Sequence, residues 1–222
     1  MRERRLVALS AGGTAVFVAS FGAAIARYPG GTWFNRHAHG HSLAKNFLCD
    51  LLQTRALNGQ DARVGAQLAG LGMFAMLVAL AAFFALVAGL ETPVSRAGRI
   101  ARGAGLLACI LGAAIPLTPS DRFRTAHLAA VLVGFVPALL ATVAALVVCL
   151  RAPGVSRWTR ALALLTVSSG ALNGFAYAYA AAARTHLVDH ALPVLQRVST
   201  FGVIGWVLAV CVHVASDRTP AD

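Results

Sequence analysis

The sequence predicts an all-α, polytopic membrane bundle of six transmembrane helices, with an amphipathic helix in the long first loop. Three observations predict it. The 222 residues are 58% hydrophobic and only 12% charged, against about 25% charged in soluble domains. Mean hydropathy is +0.71. The apolar residues also fall in long blocks, each of the length that a hydrocarbon core of about 30 Å demands of a helix.

The spans follow in order, as one six-helix domain over residues 1–222. The first is Leu6–Ala26, free of charge. It follows a basic start and ends on Ala24-Ile25-Ala26, as a signal peptide would, but its apolar run exceeds the roughly 7–15 residues of a signal core. We read it as a retained helix. The second is Val64–Leu90. The third is expected over Val94–Leu117: Gly103–Leu117 alone is strictly apolar but short, and Thr92-Pro93 resembles an N-cap followed by proline at the first helical position. Arg96, Arg99 and Arg102 would then snorkel to the headgroups. The remaining spans are Thr125–Leu150, Ala161–Ala183 and Ala191–Ala215.

Orientation rests on Lys and Arg in the short connections. Arg2, Arg4 and Arg5 precede the first span, Arg96, Arg99 and Arg102 lie in the second loop, and Arg151, Arg157 and Arg160 in the fourth. Both termini are therefore expected in the cytoplasm of a cell bounded by its plasma or inner membrane. The net charge of +11 is spread over both faces without a basic stripe interleaved with aromatics, which argues against a nucleic-acid partner. Anionic lipid headgroups account for it. The four cysteines have no framework spacing.

Under this topology the polar residues gather on the outer face. His37, His39, His41, Asp50, Asp61, Asp121, His127, His186, Asp189 and His190 all fall in the outer loops or adjoining helix ends; His213 alone of the histidines lies at the inner end. In the first loop Leu43, Phe47, Leu48, Leu51 and Leu52 recur at helical spacing, with Ser42, Asn46, Asp50 and Gln53 opposite. This is the pattern of an interfacial helix, or of one tucked into the bundle mouth. The simpler alternative is a lid whose polar stripe faces water.

Several candidate site residues emerge. Arg197 is expected about two turns inside the last span, where a charge is costly and is usually paired or functional. Asp50, Asp121 and Asp189 are its candidate partners. Ser169, Asn173 and Tyr177 recur every four residues along the fifth span and end on Arg184. Such a stripe should face the interior, either as a site or for interhelical hydrogen bonds. His186 and His190 are four apart, half of a zinc site that His127 and Asp50 would complete, but His-Leu-Val-Asp-His lacks the glutamate of the zinc-protease signature. His37-Ala-His-Gly-His41 is a second cluster. A haem between His127 and His190 is the weaker alternative.

Four short motifs carry a resemblance to a family: Tyr28-Pro29-Gly30, Cys49-Asp50-Leu51, Leu117-Thr-Pro-Ser-Asp121 running into Thr125-Ala-His127, and Leu195-Gln196-Arg197 followed by Trp206. With them the chain resembles the six-helix membrane proteins of domain-of-unknown-function family 998, distantly similar to the Frag/DRAM/Sfk type. It departs from that pattern at Cys49, where the family often has serine, and at Phe34–Lys45, which reads as an insertion. The resemblance implies a six-helix fold and, by analogy, work on lipid.

Three functions follow as expectations. The first is a non-enzymatic protein that binds or organises a lipid headgroup, with Arg197, Arg184, Asn173, Tyr177 and Gln196 as ligand-binding residues. Arginine suits phosphate through its planar fork. The second is a membrane-embedded lipid hydrolase or transferase, with Asp50, His127 and His190 catalytic and His127, His186 and His190 holding zinc. The third, a small transporter, lacks the mid-membrane carboxylates that would support it. The oligomeric state is left open.

Overall fold

A computed structural model describes residues 2–183 and 191–216. Among the described residues six helices are long and apolar enough to cross a bilayer, and the chain is a multi-pass membrane protein. The helices are α1 (Arg2–Ala26), α2 (Arg63–Ala88), α3 (Arg96–Gly112), the short α4 (Ala114–Leu117), α5 (Arg124–Arg151), α6 (Arg157–Ala183) and α7 (Leu192–Ser216). Large apolar side chains such as Leu106, Ile110, Val136, Phe201 and Val212 point outward and are exposed, as lipid-facing surfaces require.

Proline accounts for the break inside the third span. Pro116 has no N–H to give, and its ring clashes with the carbonyl four residues back, at Gly112. The helix is interrupted there, and α4 is the remaining turn. The start of this span differs from expectation. Ser95, not Thr92, is the N-cap: its hydroxyl accepts from Gly98 N at 3.1 Å. Thr92-Pro93 is a cis bond in the preceding turn. The other ends lie within about four residues of those expected, in keeping with how helix ends fray.

Around the bundle α1 packs on α2, α2 on α3, α3 on α5, α5 on α6, α6 on α7, and α7 back on α1. α2 also reaches α5 and α7 across the middle, which makes it the most buried span. Small residues let helices approach closely: a side chain at Gly13 would run into α2, and one at Gly72 into Ser20 and Phe21 of α1. Phe83 and Trp206 form the centre, both fully buried, with ring centroids 5.0 Å apart. Val148, Cys149, Ala163 and Val207 surround them.

The long first loop differs most from its expected form. It contains one 3-10 turn, Leu48–Leu52, rather than a longer amphipathic helix. Its polar stripe does not face water either: Asn46, Asp50 and Gln53 are buried, while Leu43 is exposed. The loop folds into the end of the bundle by its own polar contacts. Arg36 donates to Leu57 O at 2.8 Å, and Leu57 N donates to the Tyr28 hydroxyl at 3.1 Å. Gly30 and Gly31 have φ of 145° and 88°, a region that only glycine enters at little cost. They turn the chain so that Gly31 O can accept from Asn46 Nδ2 at 3.0 Å.

Candidate functional site

Asp50 is the hub of the loop end. It is 2% exposed, and four donors converge on its carboxylate. Oδ2 accepts from Phe47 N at 2.9 Å and Asn46 Nδ2 at 3.1 Å. Oδ1 accepts from Trp33 Nε1 and Gln53 Nε2, each at 3.3 Å. Burial nevertheless pushes its pKa up to about 6, against these hydrogen bonds and the Arg197 charge, which pull it down. A carboxylate so placed stays close to its protonation threshold at neutral pH.

Arg197 reaches the same network from α7. It begins five residues after the helix start, about 8 Å along the axis at 1.5 Å per residue, and is 7% exposed. Its expected carboxylate partner is not a direct one. NH2 donates to Asn46 O at 2.8 Å and NH1 to Gln196 Oε1 at 3.1 Å. Asp50 is joined to it through Asn46, which donates to one and accepts from the other. Nε is buried without a hydrogen-bond partner. Gln196 Oε1 also accepts from Leu48 N at 2.8 Å. Gln196 and Arg197 thus hold the first loop onto the last helix.

His41 belongs to this site too. Its ring stands edge-on to Tyr28, centroids 5.4 Å apart. Neither ring nitrogen makes a well-formed hydrogen bond, and both are buried. Burial and then the Arg197 charge push its pKa down to about 4, against a weaker pull from the Phe47 backbone. It is a neutral imidazole at pH 7. Cys49 is pushed up to about 12, chiefly by burial, with Asp50 adding. Cys49 is half-buried, and a thiol held in its protonated form reacts slowly, since only the thiolate reacts readily.

The third connection joins from the side. Gln53 Nε2 donates to Ser120 Oγ at 3.0 Å. Asp121 Oδ2 accepts from Thr54 N, Thr54 Oγ1 and Arg55 N at 3.0, 2.7 and 3.1 Å. Asp121 therefore clasps the first loop instead of pairing with Arg197. His127, 4% exposed, contacts Thr118 O through Nδ1 at 2.8 Å. That contact ties the start of α5 to its own preceding turn, and no hydrogen bond among the described residues links His127 to Asp50 or Arg197. Asp61 pairs with Arg63 at 2.7 Å on the exposed edge.

Among the remaining candidates, Tyr177 packs its ring edge-on against Phe47, centroids 6.4 Å apart, and so lies beside the loop. Asn173 is half-buried one turn further in. Ser169 is buried, and its hydroxyl donates to Leu165 O of its own helix. Arg184, His186, Asp189 and His190 lie outside the described residues. Among the described residues no group of three or more His, Cys, Asp or Glu is placed to hold a metal ion. His37 and His39 are exposed, apart in character from the buried ring of His41.

The residues that sequence reasoning undervalued are Asn46, Trp33, Gln53 and His41. Asn46 and Gln53 were visible as part of a stripe with Asp50, whose direction the sequence left open and the structure turns inward. The chain matches no family model, no curated protein and no solved structure.

The site can fix a cation against neutral oxygen acceptors and hold a carboxylate two hydrogen bonds away. Its open capacities among the described residues include Arg197 Nε–H, the one guanidinium nitrogen with no partner at all, and the ring nitrogens of neutral His41. All the described oxygen sites of Asp50 are engaged by donors within the protein, an arrangement suited to holding the loop.

Proposed function

We propose that the protein binds the phosphate-bearing headgroup of a membrane lipid at the mouth closed by the first loop, with Arg197 as its anchor. The observation that carries this reading is the state of Arg197. A buried guanidinium needs a counter-charge; here the Asp50 carboxylate reaches Arg197 through Asn46, while the direct hydrogen-bond partners described are neutral oxygens and Nε is unpartnered. A phosphate oxygen supplies both the charge and the missing acceptor, in the fork geometry arginine favours. Neutral His41 adds a second hydrogen-bonding group beside it.

The same reading places this mouth on the extracytoplasmic side of the cell membrane, with both termini in the cytoplasm. The arginines of the short connections at the opposite end support that orientation. It also includes kinship with family 998, because Asp50 and Arg197 from two of the resembling motifs are joined through Asn46. Lys45→Cys in a Cys49→Ser background tests the orientation. Lys45 is exposed, so an impermeant maleimide should label it on intact cells; protection there with labelling only after lysis would reverse the orientation.

The binding test measures phospholipid retained by the protein purified from phosphatidylglycerol-containing vesicles. Arg197→Gln should reduce retention by about tenfold, the loss of roughly one charge-assisted contact, whereas exposed Arg122→Gln should leave it unchanged. Melting temperature is recorded in parallel, and His41→Phe, which keeps the packing on Tyr28, serves as a second variant. Equal retention in all variants overturns the reading. Protection against unfolding by inorganic phosphate as strong as that by lipid would assign the site to a free anion. Stoichiometric zinc in the purified protein would instead favour a metal-dependent lipid hydrolase or transferase.

A further inference from the structure

A cavity of about 220 Å³ lies between α5, α6 and α7. Phe135 and Leu139 line it from α5, Val167 and Gly170 from α6, and Val203 from α7. α5 and α7 are not neighbours in the ring of helices, and α6 packs between them on the side where the cavity lies, as α2 does across the middle of the bundle. The seam is closed on either side of the cavity by tight contacts. Gly174 lies against the Phe135 ring, and Gly202 and Gly205 against Thr166 and Leu162. Between them Gly170 faces open space: a side-chain carbon there would meet nothing within 4 Å.

The chemistry of the lining selects the occupant. Four hydroxyls border the cavity, and each hydroxyl hydrogen is engaged by a carbonyl of its own helix: Thr142 with Ala138, Thr166 with Leu162, Ser199 with Leu195 and Thr200 with Gln196. No donor of these four is left for a polar ligand, and the rest of the lining is apolar or glycine. Depth points the same way. Ser199 to Val203 lie about 10–17 Å along α7 from its start at 1.5 Å per residue, within the span where the surrounding solvent is hydrocarbon.

Along α7 the cavity lies in line with a residue of the proposed headgroup site. On α7 its lining residues Ser199, Thr200 and Val203 share a helix face with Gln196, at spacings of three, four and seven. Gln196 heads that stripe and bonds Arg197 at 3.1 Å. We propose that the α5–α6–α7 cavity receives one acyl chain of a lipid whose phosphate is held at Arg197. This rests on the headgroup reading and deepens it: the ligand is a chain-bearing phospholipid, held at two places along α7.

The test uses the full chain in vesicles with a phosphatidylglycerol that carries a diazirine at the end of one acyl chain. After photolysis and digestion, label should concentrate on the lining segments of α5, α6 and α7. Gly170→Leu fills the cavity, and a residue of higher helix propensity in a helix interior should leave the fold intact. It should lower that labelling about fivefold, as a chain loses its apolar contacts. Ala171→Leu, at a neighbouring lining position, is the second variant, with melting temperature recorded for both. Label spread evenly over lipid-facing residues of all six helices, or unchanged by either variant, overturns the proposal. Arg197→Gln separates the two ideas. If it lowers retention while Gly170→Leu leaves labelling unchanged, the headgroup reading stands and the chain site fails. If only the cavity variants act, the headgroup reading fails.

Discussion

The two ends of this bundle handle charge in opposite ways. At the end that carries both termini, arginines stay at the surface and serve short connections. Arg160 bonds Cys149 O and Ala152 O, satisfying carbonyls at the end of α5, and Arg99 reaches Val94 O. At the other end a 36-residue connection, 27–62, folds inward and carries Asp50 with it, and its Asn46 meets Arg197 from α7. The first arrangement costs little, since these cations are only partly buried or exposed. The second removes charge from water and must replace every hydrogen bond it loses. That is why the loop end holds a dense network and the termini end needs none of comparable size.

The comparison breaks most visibly at Asp50. Asp50→Ala leaves Phe47 N, Asn46 Nδ2 and Trp33 Nε1 without their acceptor in a buried setting, and should cost about 3 kcal/mol or more. Thermal unfolding in detergent reads this as a large drop in melting temperature. On the termini end Arg99→Ala, an exposed contact, should stay within about 0.5 kcal/mol. Equal effects at the two ends would remove the contrast.

Gln196→Ala comes next. It strips the acceptor from Leu48 N and one partner from Arg197, and should cost about 1–2 kcal/mol. Because Leu48 belongs to the loop and Gln196 to α7, hydrogen exchange should rise at residues 46–53 more than in α2. Exchange that rises equally everywhere would show a global loss instead of a loosened loop.

Acidity sharpens the contrast because Asp50 and His41 oppose each other. Asp50 is raised from 3.8 to about 6, so between those values the folded state binds more protons than the unfolded state, and stability from this group falls as pH rises. His41 is lowered from 6.5 to about 4, so between those values the unfolded state binds more protons, and stability from this group rises with pH. The other charged group named in both shifts, Arg197, keeps its charge throughout this range. The wild type should therefore show a shallow profile between pH 4 and 6.5. Asp50→Asn should expose the His41 limb, with stability falling as pH drops through that window. His41→Phe should expose the Asp50 limb, with stability rising as pH drops from 6 to 4. Parallel profiles for the two variants would show that these groups do not titrate as placed.

The smallest expected effect is at Asp121, whose clasp on Thr54 and Arg55 is exposed to water. Asp121→Asn keeps an acceptor and should cost under about 1 kcal/mol. Limited proteolysis near residues 54–61 should quicken modestly while the melting temperature barely moves.

The sequence by itself determined the six spans, because burying a backbone in hydrocarbon leaves the helix as the one solution for such apolar blocks, and length and composition reveal it. It also marked Asp50, Asn46 and Gln53 as one stripe, and Arg197 as a charge too deep to stand alone. What tertiary structure decided was direction and partnership. Alternation of polar and apolar residues in a loop shows that two faces differ, but not which one meets the protein. Here the polar face turned inward because Arg197, Gln196 and Ser120 offered partners from elements up to 151 residues away along the chain. His127 shows the converse: its place near the loop end was legible, but its ring nitrogen meets the nearby carbonyl of Thr118. Local spacing carries no information about contacts made between elements, and in this protein those contacts decide which of the polar residues share a site.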